Sequence, residues 1–210
     1  MTTVERPKAS GLPLESGDRL TRDEFERRYC TRPDIKKAEL IEGVVYVASP
    51  VRITEHAEPH AFMAFWLGSY VANHPECRIA DNGTVRLDPD NEPQPDVMMF
   101  VDPSAGGQAR LGSDGYLEGA PELVVEISAS SASYDLGAKM DAYRRNGVRE
   151  YIVWQILEER IDWFRLEGGR FQAVKPNSAG TIESAVFPGL RLDVPAMLGA
   201  NLKAVAAALA

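Results

Sequence analysis

Pro121-Glu-Leu-Val-Val-Glu-Ile-Ser128, then Asp135-Leu-Gly-Ala-Lys-Met-Asp-Ala-Tyr-Arg-Arg-Asn-Gly147, then Glu150-Tyr-Ile-Val-Trp-Gln-Ile-Leu157 are the segments that decide the fold. The first alternates, with Val124, Glu126 and Ser128 on one face and Leu123, Val125 and Ile127 on the other, which is the two-residue period of a strand. The third is an almost unbroken apolar run, as expected of a strand covered on both faces at a sheet centre. Between them Leu136, Met140 and Tyr143 recur at helical spacing, and Gly147 stands where a left-handed cap ends a helix. Two sheet-centre strands joined by a crossover helix predict an α/β domain: a central mixed sheet flanked by helices.

Lys139 falls inside the apolar stripe of that helix. A lysine aimed inward needs an anionic partner, because an unpaired buried charge is costly. Two carboxylates lie upstream in equally apolar company, Asp96 in Pro95-Asp-Val-Met-Met-Phe100 and Glu126 in the alternating strand. Strand and helix parities allow all three to face one pocket. A divalent cation that neutralises a phosphate and acidifies water, with an ammonium beside it, is the equipment for phosphodiester hydrolysis. Mg²⁺ takes a few carboxylate oxygens and keeps several waters, so Asp96, Glu126 and the backbone carbonyl of Ile127 form a plausible ligand set.

Outward from this centre, residues 1–19 are polar and contain Pro and Gly, and are expected to form a flexible arm ahead of one domain over 20–210. Thr21-Arg-Asp-Glu24 has the capping-box pattern, opening a helix to Tyr29. Ala38–Ile41 and Val44–Val47 read as a hairpin turning at Glu42-Gly43 and closed by Pro50. A largely buried helix is expected from Thr54 to Asn73. Thr84–Leu87 and Asp96–Val101 read as strands, and 102–119, rich in Gly, Ser and Asp, as a long loop. An antiparallel extension follows, Ile161–Leu166 and Phe171–Val174, turning at Gly168-Gly169. The closing segment Val194–Ala210 reads as one Ala/Leu-rich helix.

The composition narrows the function classes. With 31 acidic and 23 basic residues the net charge is −8, which argues against a broad basic surface for nucleic acid but not against local contacts around a cation. Hydrophobic residues make up 44% of the chain, enough for a sizeable core. No apolar run approaches the ~18 residues of a membrane span, and the opening residues lack the apolar core of a secretory signal, so a cytoplasmic protein is expected. Cys30 and Cys77 have no zinc spacing and read as reduced thiols.

Taken in order, Glu39-Leu-Ile-Glu-Gly43, Gln94-Pro-Asp-Val97, Pro121–Ser128, Asp135-Leu-Gly-Ala-Lys139, Tyr143 and Gly147-Val-Arg-Glu-Tyr151 resemble the PD-(D/E)XK nuclease superfamily, over roughly residues 20–205. Ser128 stands where that superfamily places its lysine. In one branch, the Uma-type restriction endonucleases, the lysine comes from the following helix, and this chain is similar to that branch. The resemblance implies a restriction-endonuclease-like core and Mg²⁺-dependent endonuclease activity, with Mn²⁺ able to substitute. It also implies a DNA substrate and a homodimer. Asp96 and Glu126 would bind metal, Lys139 would replace the displaced lysine, Glu39 would be an accessory acid, and Tyr143 would line the site. The family follows Glu-Tyr with Trp and a hydrophobic pair ending in Asp, where this chain has Tyr151-Ile-Val-Trp-Gln155.

Other readings compete. A binding module on the same fold, without turnover, fits the negative charge. The serines at 128, 130, 131 and 133 invite a Ser-Lys hydrolase, but they lack the spacing to Lys139 and suit a loop and helix cap better. His56 and His60 are one turn apart and could share a metal, yet no third ligand is visible at a suitable spacing, so a helix-surface or capping role is favoured. Arg144, Arg145 and Arg149 read as a solvated helix end.

Overall fold

A computed structural model describes residues 12–48 and 52–209. The chain runs α1 (Arg22–Tyr29), β1 (Ala38–Ile41), β2 (Val44–Val47), α2 (Glu58–Val71), β3 (Cys77–Asp81), β4 (Val85–Arg86), β5 (Val97–Val101), β6 (Arg110–Leu111), β7 (Leu117–Glu118), β8 (Leu123–Ser128), α3 (Ala132–Tyr134), α4 (Met140–Asn146), β9 (Glu150–Gln155), β10 (Arg160–Glu167), β11 (Arg170–Val174), β12 (Thr181–Glu183), β13 (Arg191–Asp193), α5 (Val194–Leu198) and α6 (Leu202–Ala207). Six strands form the central sheet in the order β11-β10-β9-β8-β5-β3. Only β8 and β9 are parallel, joined by the crossover through α4; the other pairs are antiparallel. The expected mixed sheet with an antiparallel extension is therefore the observed one.

Alternation along the strands sorts the core onto two faces. Leu123, Val125 and Ile127 of β8 pack with Met63, Trp66 and Leu67 of α2 and, through β10, with Trp163. Trp66 and Trp163 meet edge to face at 5.8 Å. On the opposite face Val124 joins Met98, Phe100, Tyr143 and Tyr151 under α4. Asp96 and Glu126 share the parity of that second face, so the same pattern that builds the core aims both carboxylates toward α4. A third, small core of Leu14, Phe25, Ala38, Leu40 and Val45 holds α1 against the β1–β2 hairpin.

The hairpin turns where expected, through positive φ at Glu42 and Gly43, 54° and 69°, the primed geometry that matches strand twist. Pro50 lies outside the described residues, as do residues 1–11 of the expected arm. Residues 12–19 differ from that expectation: Leu14 is buried, and the Gly17 amide donates to the Val45 carbonyl at 2.8 Å, just ahead of Leu20, whose amide donates to the Gly43 carbonyl at 2.8 Å. α1 begins after Thr21 without a side-chain cap, and Glu24, the other half of the expected box, pairs instead with Arg27 and Arg28 at 2.7 and 2.6 Å. Residues 102–119 are not one loop; β6 and β7 add to β4 in a small sheet. The C-terminal segment is two helices, broken at Gly199–Asn201, where Asn201 caps α6 by accepting from the Ala204 amide. The edge strand β3 and the β12–β13 pair carry weak sequence patterns and were not expected. Among the described residues no helix is long and apolar enough to cross a membrane.

Candidate functional site

The site arises where two central strands part. β5 and β8 pair from Met99↔Leu123 to Val97↔Val125 and no further. Continuing that register, Pro95 would face Ile127. Proline has no N–H to give to the Ile127 carbonyl, and the Pro95 carbonyl accepts instead from the Asn82 amide. The Asp96 side chain fills the gap: its Oδ2 accepts from the Ile127 N–H at 2.9 Å. The freed Ile127 carbonyl belongs to a residue that lines the same cleft as His56. The proline ahead of Asp96 thus opens the ladder and leaves a carboxylate and a backbone oxygen side by side in a cleft of about 1050 Å³.

Lys139 points inward from the turn Asp135–Lys139, where the helix is kinked at Gly137. It is 2% exposed. Its ammonium lies 2.9 Å from Glu126 Oε1 and 2.9 and 3.1 Å from the two oxygens of Glu39. Glu39 is fixed in turn by the Gln94 N–H at 2.6 Å, and Glu126 by the Tyr143 hydroxyl, which donates to Oε1 at 2.8 Å. Burial opposes the charge on Lys139, but Glu126 and Glu39 prevail and hold its pKa well above the ordinary lysine value. Burial pushes the Glu126 carboxyl up to about 8; Lys139 opposes this, and the neighbouring Asp96, Asp135 and Glu39 add to it. Two carboxylates against one ammonium leave this nest one negative charge over, to be met by a proton or a cation.

Asp96 has a different partner from the one its sequence context suggested. Its Oδ1 is 2.9 Å from the ammonium of Lys37, which also donates to Asn82 Oδ1, and 3.4 Å from His56 Nε2. Although burial works against ionisation, His56 and Lys37 hold the Asp96 carboxyl well below the usual range. His56 is raised by its hydrogen bond to Asp96, while burial lowers His60.

The structure therefore brings Asp96, Glu126, Glu39, Lys139 and the Ile127 carbonyl to one place. Tyr143 sits behind them: fully buried, it supports Glu126 from under the cleft wall instead of lining it. Lys37 was missed because a Lys-Lys pair before a strand has no distinguishing pattern. The third partner of His56 and His60, absent from local spacing, is Asp96, about forty positions along the chain. Ser128 and Ser131 both donate to Asp135 Oδ2, at 2.5 and 2.6 Å, and so serve as anchors for the kinked turn. Gln155 is engaged with Asp162 on β10. Arg144 pairs with Asp141, Arg145 with Glu42, and Arg149 with Gln108.

A mixed sheet with two carboxylates at the parting ends of adjacent strands, met by a lysine from the crossover helix, is a restriction-endonuclease-like arrangement. Residues 22–195 match the Uma2 family, described as "putative restriction endonuclease", and the chain belongs to that family. Its fold is similar to a crystal structure described as a putative nuclease belonging to DUF820 from Anabaena variabilis. The TM-score is 0.64, and the match covers 86% of this chain and 98% of that one. At 14% identity that likeness speaks for the fold alone. No curated protein matches the chain.

Proposed function

We propose that the protein is a metal-dependent endonuclease hydrolysing phosphodiester bonds in DNA. The observation that carries this is the convergence of Asp96 and Glu126 from the parting strands β5 and β8 on one cleft, with Lys139 2.9 Å from Glu126. The donors fit a hard divalent cation. Glu126 Oε1 takes both the Lys139 and Tyr143 donors, while Oε2 receives no hydrogen bond among the described residues. Asp96, Glu126 and the Ile127 carbonyl would hold Mg²⁺, with Mn²⁺ as substitute. Such an ion supplies charge neutralisation at the phosphate and a more acidic attacking water.

The chain's own groups do the rest. Lys139 and Tyr143 fix Glu126, and Lys139 with the Gln94 amide fixes Glu39, so the acidic wall stays ordered as substrate enters. Lys37, a quarter exposed, is the ammonium free to leave Asp96 and meet a phosphate oxygen. A homodimer, able to cut both strands, and a cytoplasmic location complete the proposal. The test is cleavage of plasmid and single-stranded DNA with Mg²⁺ or Mn²⁺, beside chelator, Asp96→Ala and Lys139→Ala controls. Activity is expected only in the metal-supplied wild type. Absence of cleavage above those controls on every substrate would favour the second reading, a binding module without turnover, toward which the net charge of −8 leans.

A further inference from the structure

The outer half of the cleft gathers nitrogen donors beside Asp96. α2 is entered through a π-turn, Ile53–Ala57, in which the Ala57 amide reaches back to the Arg52 carbonyl at 3.1 Å. Widened turns of this kind recur at functional sites. This one presents His56 on the same side as His60, with ring centroids 5.9 Å apart and edge to face. One donor atom from each imidazole and one carboxylate oxygen of Asp96 all lie within 4.8 Å of one another. Both histidines line the cleft and are largely covered, with side chains 20% and 14% exposed. Asp81 Oδ2, 3.9 Å from His60 Nε2 and largely exposed, adds negative charge at the outer edge of the cluster.

We propose that the cation position at Asp96 is completed by His56 and His60, and that it takes a first-row transition-metal dication in preference to Mg²⁺. The inference rests on the reading above that Asp96 holds a cation. Mg²⁺ demands oxygen donors and sheds water reluctantly, whereas imidazole favours the transition series, with affinity rising from Mn²⁺ to Co²⁺ and beyond. Two imidazoles and one carboxylate on one side of an ion leave its other side open for water or a phosphate oxygen, the logic of a two-histidine, one-carboxylate site. The donors, within 4.8 Å of one another, stand close to the roughly 3–3.5 Å spacing of atoms that share an ion. The Lys37 ammonium, 2.9 Å from Asp96 Oδ1, marks where the protein already places positive charge, and it is the group an arriving ion displaces.

Calorimetric titration of the chelator-stripped full chain with Mg²⁺, Mn²⁺ and Co²⁺, without nucleic acid, tests this. Wild type is expected to bind Co²⁺ and Mn²⁺ at least about tenfold more tightly than Mg²⁺. The His56→Gln/His60→Gln double variant is expected to lose about that factor for Co²⁺ and Mn²⁺ while its Mg²⁺ affinity stays within about threefold. Equal affinity for the three ions, or a preference that survives in the double variant, overturns the inference. If that variant fails to fold, the large contact shifts that Co²⁺ imposes on the ring protons of directly ligated imidazoles read the same contact in wild type, and the absence of shifted His56 and His60 resonances at saturation overturns it. The outcomes separate the two proposals: selective binding without DNA cleavage keeps this inference and removes the nuclease, while cleavage with unselective binding does the reverse.

Discussion

The inner and outer halves of the cleft hold the same kinds of group at different depths. Inside, Lys139 is sealed among Glu39, Glu126 and Tyr143. Outside, Lys37 rests on Asp96 with its stem a quarter exposed, beside two half-buried histidines. A buried ion pair is costly to break, since removing one partner strands the other charge, whereas a partly solvated pair contributes little and exchanges readily. The inner half is therefore the more rigid of the two, and the outer half the more open to exchange of its charged partners.

Breaking the inner half should have the largest effect. Lys139→Met leaves Glu39 and Glu126 facing each other without a counter-charge, and is expected to cost about 3–5 kcal/mol. In a chain of this size that is a fall in Tm on the order of 10 °C, read by calorimetry. A fall no greater than that of Lys37→Met would erase the distinction between the halves. Tyr143→Phe removes one buried hydrogen bond and leaves the Glu126 oxygen it served without that donor, and should cost about 1–3 kcal/mol in the same measurement.

A pH titration sharpens the contrast. The Glu126 carboxyl is raised from 4.5 to about 8, chiefly by burial, so the folded state keeps a proton that the unfolded chain releases. Its contribution is therefore present at low pH and fades as pH rises from about 4.5 to about 8, at no more than about 1.4 kcal/mol per unit. In chelator, wild type should lose stability across that window relative to Glu126→Gln, and a bound divalent cation should remove most of the difference. Identical pH profiles for the two proteins would sink this assignment. The smallest stability effect belongs to Lys37→Met, expected within about 1 kcal/mol of wild type. Its signature is instead a several-fold gain in cation affinity by calorimetry, because the internal competitor for Asp96 is gone.

The inner half was legible in the sequence and the outer half was not. Lys139 announced itself by interrupting an apolar stripe, and Glu126 by alternating with buried valines. Both signals come from period alone. Their pairing at 2.9 Å follows once the crossover helix packs on the second face of the sheet. The expected approach of Lys139 to both acids is seen directly for Glu126, whereas the salt bridge to Asp96 comes from Lys37, carried in on the hairpin. That hairpin belongs to a separate small core, and no local pattern says where such a core will dock. The histidines showed the same limit: a turn-spaced pair was visible, but its carboxylate arrives through tertiary structure. Likewise β3 and β12–β13, short or partly exposed, lack the alternation that made β8 and β9 plain.

The π-turn at Ile53–Ala57 has a consequence for how this molecule could change over time. A π-turn is an α-turn carrying one residue too many. Each residue of an α-helix advances the face by about 100°. Deleting the Ala57 codon would carry His56 about 100° round the helix, away from Asp96, while His60, anchored in α2, stayed where it is. On the ligand set proposed above, ion preference would then follow the length of the gene, with both histidines still encoded.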